Sequence, residues 1–364
     1  PCGGLGYGFP QASIDAGMAR NPHIIAVDSG STDPGPYYLG AGEGMQPLRK
    51  DLEVLMRARD AAKIPLVIGS ADIAGAKPQV DSTVRLVKEI ARENCYHFKL
   101  AVIMADIDRE MLKQAVNAGR VRDFEHPSSL TVAEVDKSSN IVGQMGVEPH
   151  IEALKSGADI VIAGRTYDPA LMAAMPIMRG IDPGLAFHMG KILECGTYAA
   201  EPSVAADAIL GTIRDDHFVV EPLNPDLRCT VDSVAAHTLY EKDNPIQLRL
   251  PGGLINLQAT TFEALSDRAV RVANTKFIKA ETYTVKVEGA APVGFRSLFI
   301  AGARDPVFIE HIDGIVQFTK DKVAQSVEYS ADDYQLIFRL YGNNGVLMGN
   351  VPEQTAPAPE LGII

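Results

Sequence analysis

Basic charge is in short supply: the 364-residue chain carries 34 Lys and Arg against 46 Asp and Glu, a formal net charge of -12. That excess of acid repels phosphate backbones and anionic lipid surfaces, which argues against nucleic acid and membranes as partners. There is also no apolar run of the roughly 18 residues needed to cross a bilayer. The opening Pro1-Cys2-Gly3-Gly4 is not a charged segment leading into an apolar one, so no secretory leader is expected. Cysteine is scarce: Cys2, Cys95, Cys195 and Cys229 lie far apart and none forms a C-x-x-C pair. A chain of this size needs no disulfide staples, so reduced thiols in the cytoplasm are the expectation. Several catalytic signatures are missing as well. Without G-x-x-x-x-G-K-[ST] there is no P-loop, without G-x-S-x-G there is no nucleophile elbow, and neither H-x-H nor H-E-x-x-H occurs.

Apolar residues make up 46% and charged residues 22% of the chain, the composition of a folded globular protein, and the length suggests about two domains. The first half repeats one pattern: an Ile- and Val-rich run, a loop of small residues and Asp, then an amphipathic stretch. This predicts strands over 23–27, 65–68, 99–104 and 159–163. It predicts helices over 48–62, 82–93, 109–118 and 149–155. Alternation of this kind specifies an α/β fold, here an open parallel sheet with helices on both faces. Beyond about residue 200 the periodicity changes to alternating segments over 246–258, 268–272, 282–288, 297–301 and 334–341, with a helix near 312–323. The expected organisation is an α/β domain over 1–220 followed by a β-rich α+β domain over 221–364, cut short at its C-terminal end.

In a parallel sheet the loops after the strands all lie at the carboxyl edge, where α/β proteins place their ligand sites. Those loops carry Asp28 with Ser31, Thr32 and Asp33, then Asp72, Asp106, and finally Arg165, Thr166, Tyr167 and Asp168. Asp in such settings also caps helices and makes turns. Arg165 at a strand end suits a bidentate grip on a carboxylate, with Ser31, Thr32, Asp33, Tyr167 and Lys191 as further substrate contacts. Gly4 and Gly6 belong to a glycine-rich opening whose bare amides could cradle an anion. The third glycine of the dinucleotide fingerprint is replaced by Phe9, which argues against NAD(P) or flavin. On a helix over 188–196, His188, Lys191 and Cys195 share a face with Glu194 beside it, a cluster suited to proton transfer. His237 and Glu241 stand four apart on a second short helix, where a carboxylate can orient an imidazole. Asp28, Asp168 and His188 together would make a mixed oxygen and nitrogen set for a divalent metal. A thiol nucleophile, Cys195 or Cys229, is the remaining alternative.

Four strings, residues 26–40, 158–169, 188–196 and 233–241, carry a resemblance to the acyclic terpene utilisation (AtuA-like) family that extends over essentially the whole chain. The resemblance brings no catalytic set with it. It implies a catabolic setting with branched carboxylate or acyl-CoA intermediates, and a small companion domain or subunit nearby. The function expected is a lyase or hydratase acting on a small carboxylic acid or its CoA thioester by acid/base chemistry, with or without a metal. In that reading Asp28, Asp168, His188, Glu194, Cys195 and His237 are the candidate catalytic residues, and a homo-oligomer is the expected assembly. Two alternatives stay open: a non-catalytic metabolite-binding or scaffolding subunit, and a thioester hydrolase or acyl transferase using Cys195.

Overall fold

The computed structural model describes residues 5–30, 36–44, 48–123, 130–204, 206–240, 244–326, 330, 332–343, 345–346 and 358–364. Among them the chain divides into two compact units, Pro1–Pro292 and Val293–Ile364. In the first unit α1 (Gln11–Ala19) precedes β1 (Ile25–Asp28), and α2 (Tyr37–Ala41) and α3 (Arg49–Ala62) lead to β2 (Leu66–Gly69). Next come α4 (Lys77–Asn94), β3 (Leu100–Ile103), α5 (Arg109–Asn117), α6 (Val132–Lys137) and β4 (Asn140–Gly143). Then α7 (Glu148–Lys155) leads to β5 (Ile160–Ala163). The four-stranded sheet runs β1-β2-β5-β3, and every pairing in it is parallel.

The expected α/β architecture is therefore present, with each strand a residue or two from its sequence-based position. Side chains alternate across this sheet with a period of two. Ile25, Val27, Leu66, Ile68, Ile160 and Ile162 pack against α1, α3 and α4. Ala26, Val67 and Val161 face the other way, against α7, α8 (Pro169–Met178) and α9 (Pro183–Glu194). Both faces being covered, strands such as LVIG and IVIA read as unbroken apolar runs.

Helix α9 is buried from Gly184 to Glu194, because a second layer lies on its far side. This is an antiparallel sheet in the order β10-β11-β7-β6, from β6 (Ile209–Ile213), β7 (His217–Pro222), β10 (Thr261–Ala264) and β11 (Val270–Ala273). A short helix, α10 (Val231–Thr238), precedes a three-stranded sheet of β8 (Gln247–Leu250), β9 (Gly253–Asn256) and β12 (Lys276–Lys279). The segment expected as one strand over 246–258 is thus a hairpin, turning at Pro251 and Gly252, where φ is 81°. Strand β13 (Val287–Ala290) leaves these sheets and pairs antiparallel with β4. In the second unit β14 (Ala301–Ala303), α11 (Pro306–Glu310), α12 (Ile312–Ser326), β15 (Leu340–Tyr341) and β16 (Leu361–Ile363) surround Ile309, Ile312 and Leu361. The strand expected over 297–301 begins only at Ala301, where pairing with β16 starts. No helix among the described residues is long and apolar enough to cross a membrane.

Candidate functional site

Three loops meet at the carboxyl edge of the parallel sheet. Strand β1 ends on Asp28, whose Oδ1 accepts the Gly30 amide at 3.1 Å. A Cβ on Gly30 would stand 2.3 Å from the Ile73 carbonyl, so only glycine lets the loops after β1 and β2 touch. The β2 loop is strained, with Ser70, Asp72 and Ile73 at φ 47°, 50° and 84°. Left-handed backbone costs such residues about 1–3 kcal/mol each and gathers at functional sites. It is held by Asp72 N–H to Ser29 Oγ at 3.2 Å, Ile73 N–H to Ser29 O at 2.8 Å and Ser70 N–H to Gly164 O at 3.1 Å.

The β5 loop supplies the charge. Arg165 is 4% exposed. Its Nη1 donates to Ser70 Oγ at 3.2 Å and to Asp168 Oδ1 at 3.4 Å, and its Nε and Nη2 donate to the two oxygens of Glu288 at 3.0 and 3.4 Å. Burial works against the guanidinium's charge, but Asp168 and Glu288 outweigh it and hold its pKa above the ordinary value. For Asp28 the balance goes the other way. Burial, then the charge of Asp168, push its carboxyl well above the usual range against the pull of Arg165 and the Gly30 amide, and Glu194 adds to the rise. The two carboxyl groups thus stand in different environments, Asp28 buried and Asp168 partly exposed beside the Arg165 cation.

Helix α9 closes the other side. Gly190 lies so near the start of α8 that a Cβ would be 2.4 Å from the Pro169 carbonyl. That approach brings Lys191 and Glu194, which form an ion pair, close enough for Glu194 to act on Asp28. The Lys191 ammonium lies 5.8 Å from the Tyr240 ring centroid, and the buried His237 ring is 5.6 Å from Tyr240. Cys195 is the C-cap of α9, half-buried.

Asp28, Arg165 and Asp168, from strand-end loops, lie near Glu194 of α9 and its ion-pair partner Lys191, whereas His188 of the same helix faces elsewhere. Its Nδ1 lies 2.7 Å from Thr275 Oγ1 and its Nε2 3.1 Å from Thr238 Oγ1, edge-on to Phe218 and Phe262. Six residues along a helix turn a side chain by roughly 120° net, so His188 looks to the antiparallel sheet while Glu194 looks toward Asp28. With both imidazole nitrogens on threonines, His188 does not complete a metal set with Asp28 and Asp168. No group of three or more His, Cys, Asp or Glu placed to hold a metal is found among the described residues. The Gly6 amide, expected to face an anion, donates to Asp51 Oδ2 at 2.8 Å, as does Gly8 at 3.0 Å. Tyr167 packs on the core beside Phe187, and Asp106 accepts the Lys77 amide at the start of α4. Burial pushes the Cys229 thiol up to about 12, which removes its thiolate at neutral pH. Gly4, Ser31, Thr32, Asp33 and Glu241 lie outside the described residues.

Sequence reasoning missed two residues. Glu288 arrives on β13, 123 positions from Arg165. The only signal was alternation, which sets Lys286 and Glu288 on one face. His150, on α7 and fully buried, has its Nε2 3.2 Å from Thr166 Oγ1. The Thr166 hydroxyl donates to Gly164 O, so the network assigns the Nε2 proton to the imidazole as donor. Burial alone lowers its pKa to about 4.

Fold and site define an α/β protein with a largely buried cluster of carboxylates and cations at the carboxyl edge of a parallel sheet. The sequence profile described as "Acyclic terpene utilisation family protein AtuA" matches residues 46–360, and the chain belongs to that family. The family's description gives it a catabolic role. No curated protein and no solved structure matches the chain.

Proposed function

We propose that this cluster carries out acid/base lyase or hydratase chemistry on a small carboxylic acid or its thioester. The observation that carries this reading is the pair Asp28 and Asp168, whose environments differ while the charge of Arg165 acts on both. In the elimination direction Asp168, ionised beside Arg165, takes the proton next to the substrate carbonyl. The C–H electron pair becomes the double bond, the C–O pair leaves with the hydroxyl, and the neutral Asp28 carboxyl donates the proton that makes it water. Lys191 stabilises the enolate-like charge that develops on the carbonyl oxygen. Proton transfer by a placed group is worth about 10²–10⁴-fold in rate. The test is a panel of hydroxy acids, enoates and their thioesters in D₂O, read by NMR for deuterium incorporation and water addition. Asp28→Asn and Asp168→Asn should each lose at least two decades of rate on whichever substrate turns over. Retention of the wild-type rate by both variants would refute the assignment.

A second reading, a subunit that works by docking a partner, has one observation in its favour: Val293, Phe295, Leu298, Phe299 and Ile300 are exposed, an apolar run of the kind that marks interaction surfaces. Growth on an acyclic terpene separates the readings in a strain lacking its own copy. Loss of growth with Phe295→Asp together with full growth of Asp28→Asn would favour docking over catalysis.

A further inference from the structure

Arg165 has no guanidinium edge turned to an incoming ligand: Ser70 and Asp168 take Nη1, and Glu288 takes Nε and Nη2 side-on. Glu288 is also paired with Lys286, whose Nζ lies 3.2 Å from Oε1, the oxygen that accepts from Arg165 Nη2. One carboxylate thus meets two cations from different elements, with the fork geometry by which Arg recognises carboxylates. Burying such a pair contributes little to stability, because desolvation offsets most of the attraction. Its placement suits binding better: the Nε/Nη2 edge that holds Glu288 points away from the Nη1 side that holds Ser70 and Asp168, so that edge can exchange one carboxylate for another while the Ser70 and Asp168 contacts stay in place. Glu288 has another place to go, since Lys286 is 37% exposed and lies toward solvent.

We propose that Arg165 and Lys286 form the carboxylate-binding pocket of this protein, that Glu288 occupies it in the unliganded state, and that a small carboxylate ligand binds by displacing Glu288 toward Lys286 and solvent. The inference rests on the acid/base reading only for the use made of the bound ligand, since binding is measured without turnover. Glu288 is in this sense a specificity-determining residue. A ligand without a carboxylate cannot replace what it does for Arg165, so the pocket stays closed to it.

The experiment is calorimetric titration of the full chain with acetate, malonate and inorganic phosphate at matched ionic strength. Glu288→Gln keeps the shape but removes the resident negative charge. It should bind malonate or acetate at least tenfold more tightly than wild type, and saturating ligand should raise the melting temperature of Glu288→Gln while leaving wild type nearly unmoved. Adding Lys286→Met to Glu288→Gln should reverse most of the gain. If Glu288 only ties β13 to the β5 loop, Glu288→Gln melts lower, binds no tighter than wild type and is not restored by carboxylate, which overturns the proposal. Tight binding that survives the added Lys286→Met overturns the placement, and phosphate binding as well as malonate overturns the ligand class. Should Glu288→Gln not fold, Glu288→Asp, which withdraws the carboxylate by one methylene, must show the same direction of change. Loss of the pocket with intact elimination activity would leave the acid/base reading standing, and the reverse outcome would leave the pocket standing.

Discussion

At the scale of single residues, Asp28 and His150 are buried ionisable groups whose proton equilibria give opposite dependences on pH. The folded-state pKa of Asp28 is raised, so its contribution to stability is full below the unfolded value near 3.8 and is lost as pH rises through the folded value. Replacing it by Asn removes that loss. Asp28→Asn is expected to melt higher than wild type at pH 7–8, with the gap closing toward pH 4, while losing the activity proposed for it, the trade-off expected of a buried carboxyl kept at a cost in stability. His150 is lowered from 6.5 to about 4. Its contribution is full above pH 6.5 and disappears as pH falls toward 4. A shift of that size corresponds to about 3 kcal/mol over the window. Urea unfolding at pH 7 and 4.5 should show His150→Gln losing about 2 kcal/mol less than wild type between the two pH values. Equal losses would mean that His150 is already solvated in the folded state.

At the scale of elements, the cluster depends on how closely α8 and α9 approach. In an exposed helix Gly→Ala gains about 1 kcal/mol of propensity. At Gly190 the new methyl would meet the Pro169 carbonyl, a backbone atom that cannot move aside. Overpacking should reverse the sign, with Gly190→Ala net destabilising by about 1–3 kcal/mol in urea. Because the same shift carries Lys191 and Glu194 away from Asp28, activity should fall more steeply than stability. Gly180→Ala is the contrasting change, since nothing lies within 4 Å of that position. Its φ of 89° still imposes backbone strain there, so it should destabilise without altering activity.

At the scale of the whole molecule, burial is uneven. Strands β2 and β5 are buried at every position, whereas the second unit's core consists of Ile309, Ile312 and Leu361 with a few partly buried neighbours. Amide exchange should follow this. The β2 and β5 amides should exchange only through global unfolding, and those of β14 to β16 orders of magnitude faster through local opening. Equal protection in the two units would contradict that ordering.

The sequence by itself determined the parallel sheet, its helices and the edge at which Asp28, Arg165 and Asp168 meet, because period-two and period-3.6 patterns and strand-end loops are local properties of the chain. It also carried the family resemblance that residues 46–360 bear out. The tertiary structure alone decided which face of α9 looks toward Asp28, since a helix buried all round, with His188, Lys191 and Glu194 among its buried residues, has no solvent face to read from its pattern. That is why His188 pairs with Thr275 and Thr238 while Glu194 turns to Asp28. It alone decided that β13 pairs with β4 and delivers Glu288 to Arg165. A contact between residues 123 positions apart leaves no trace in local periodicity, because its energy comes from two charges that meet only once the strands have paired.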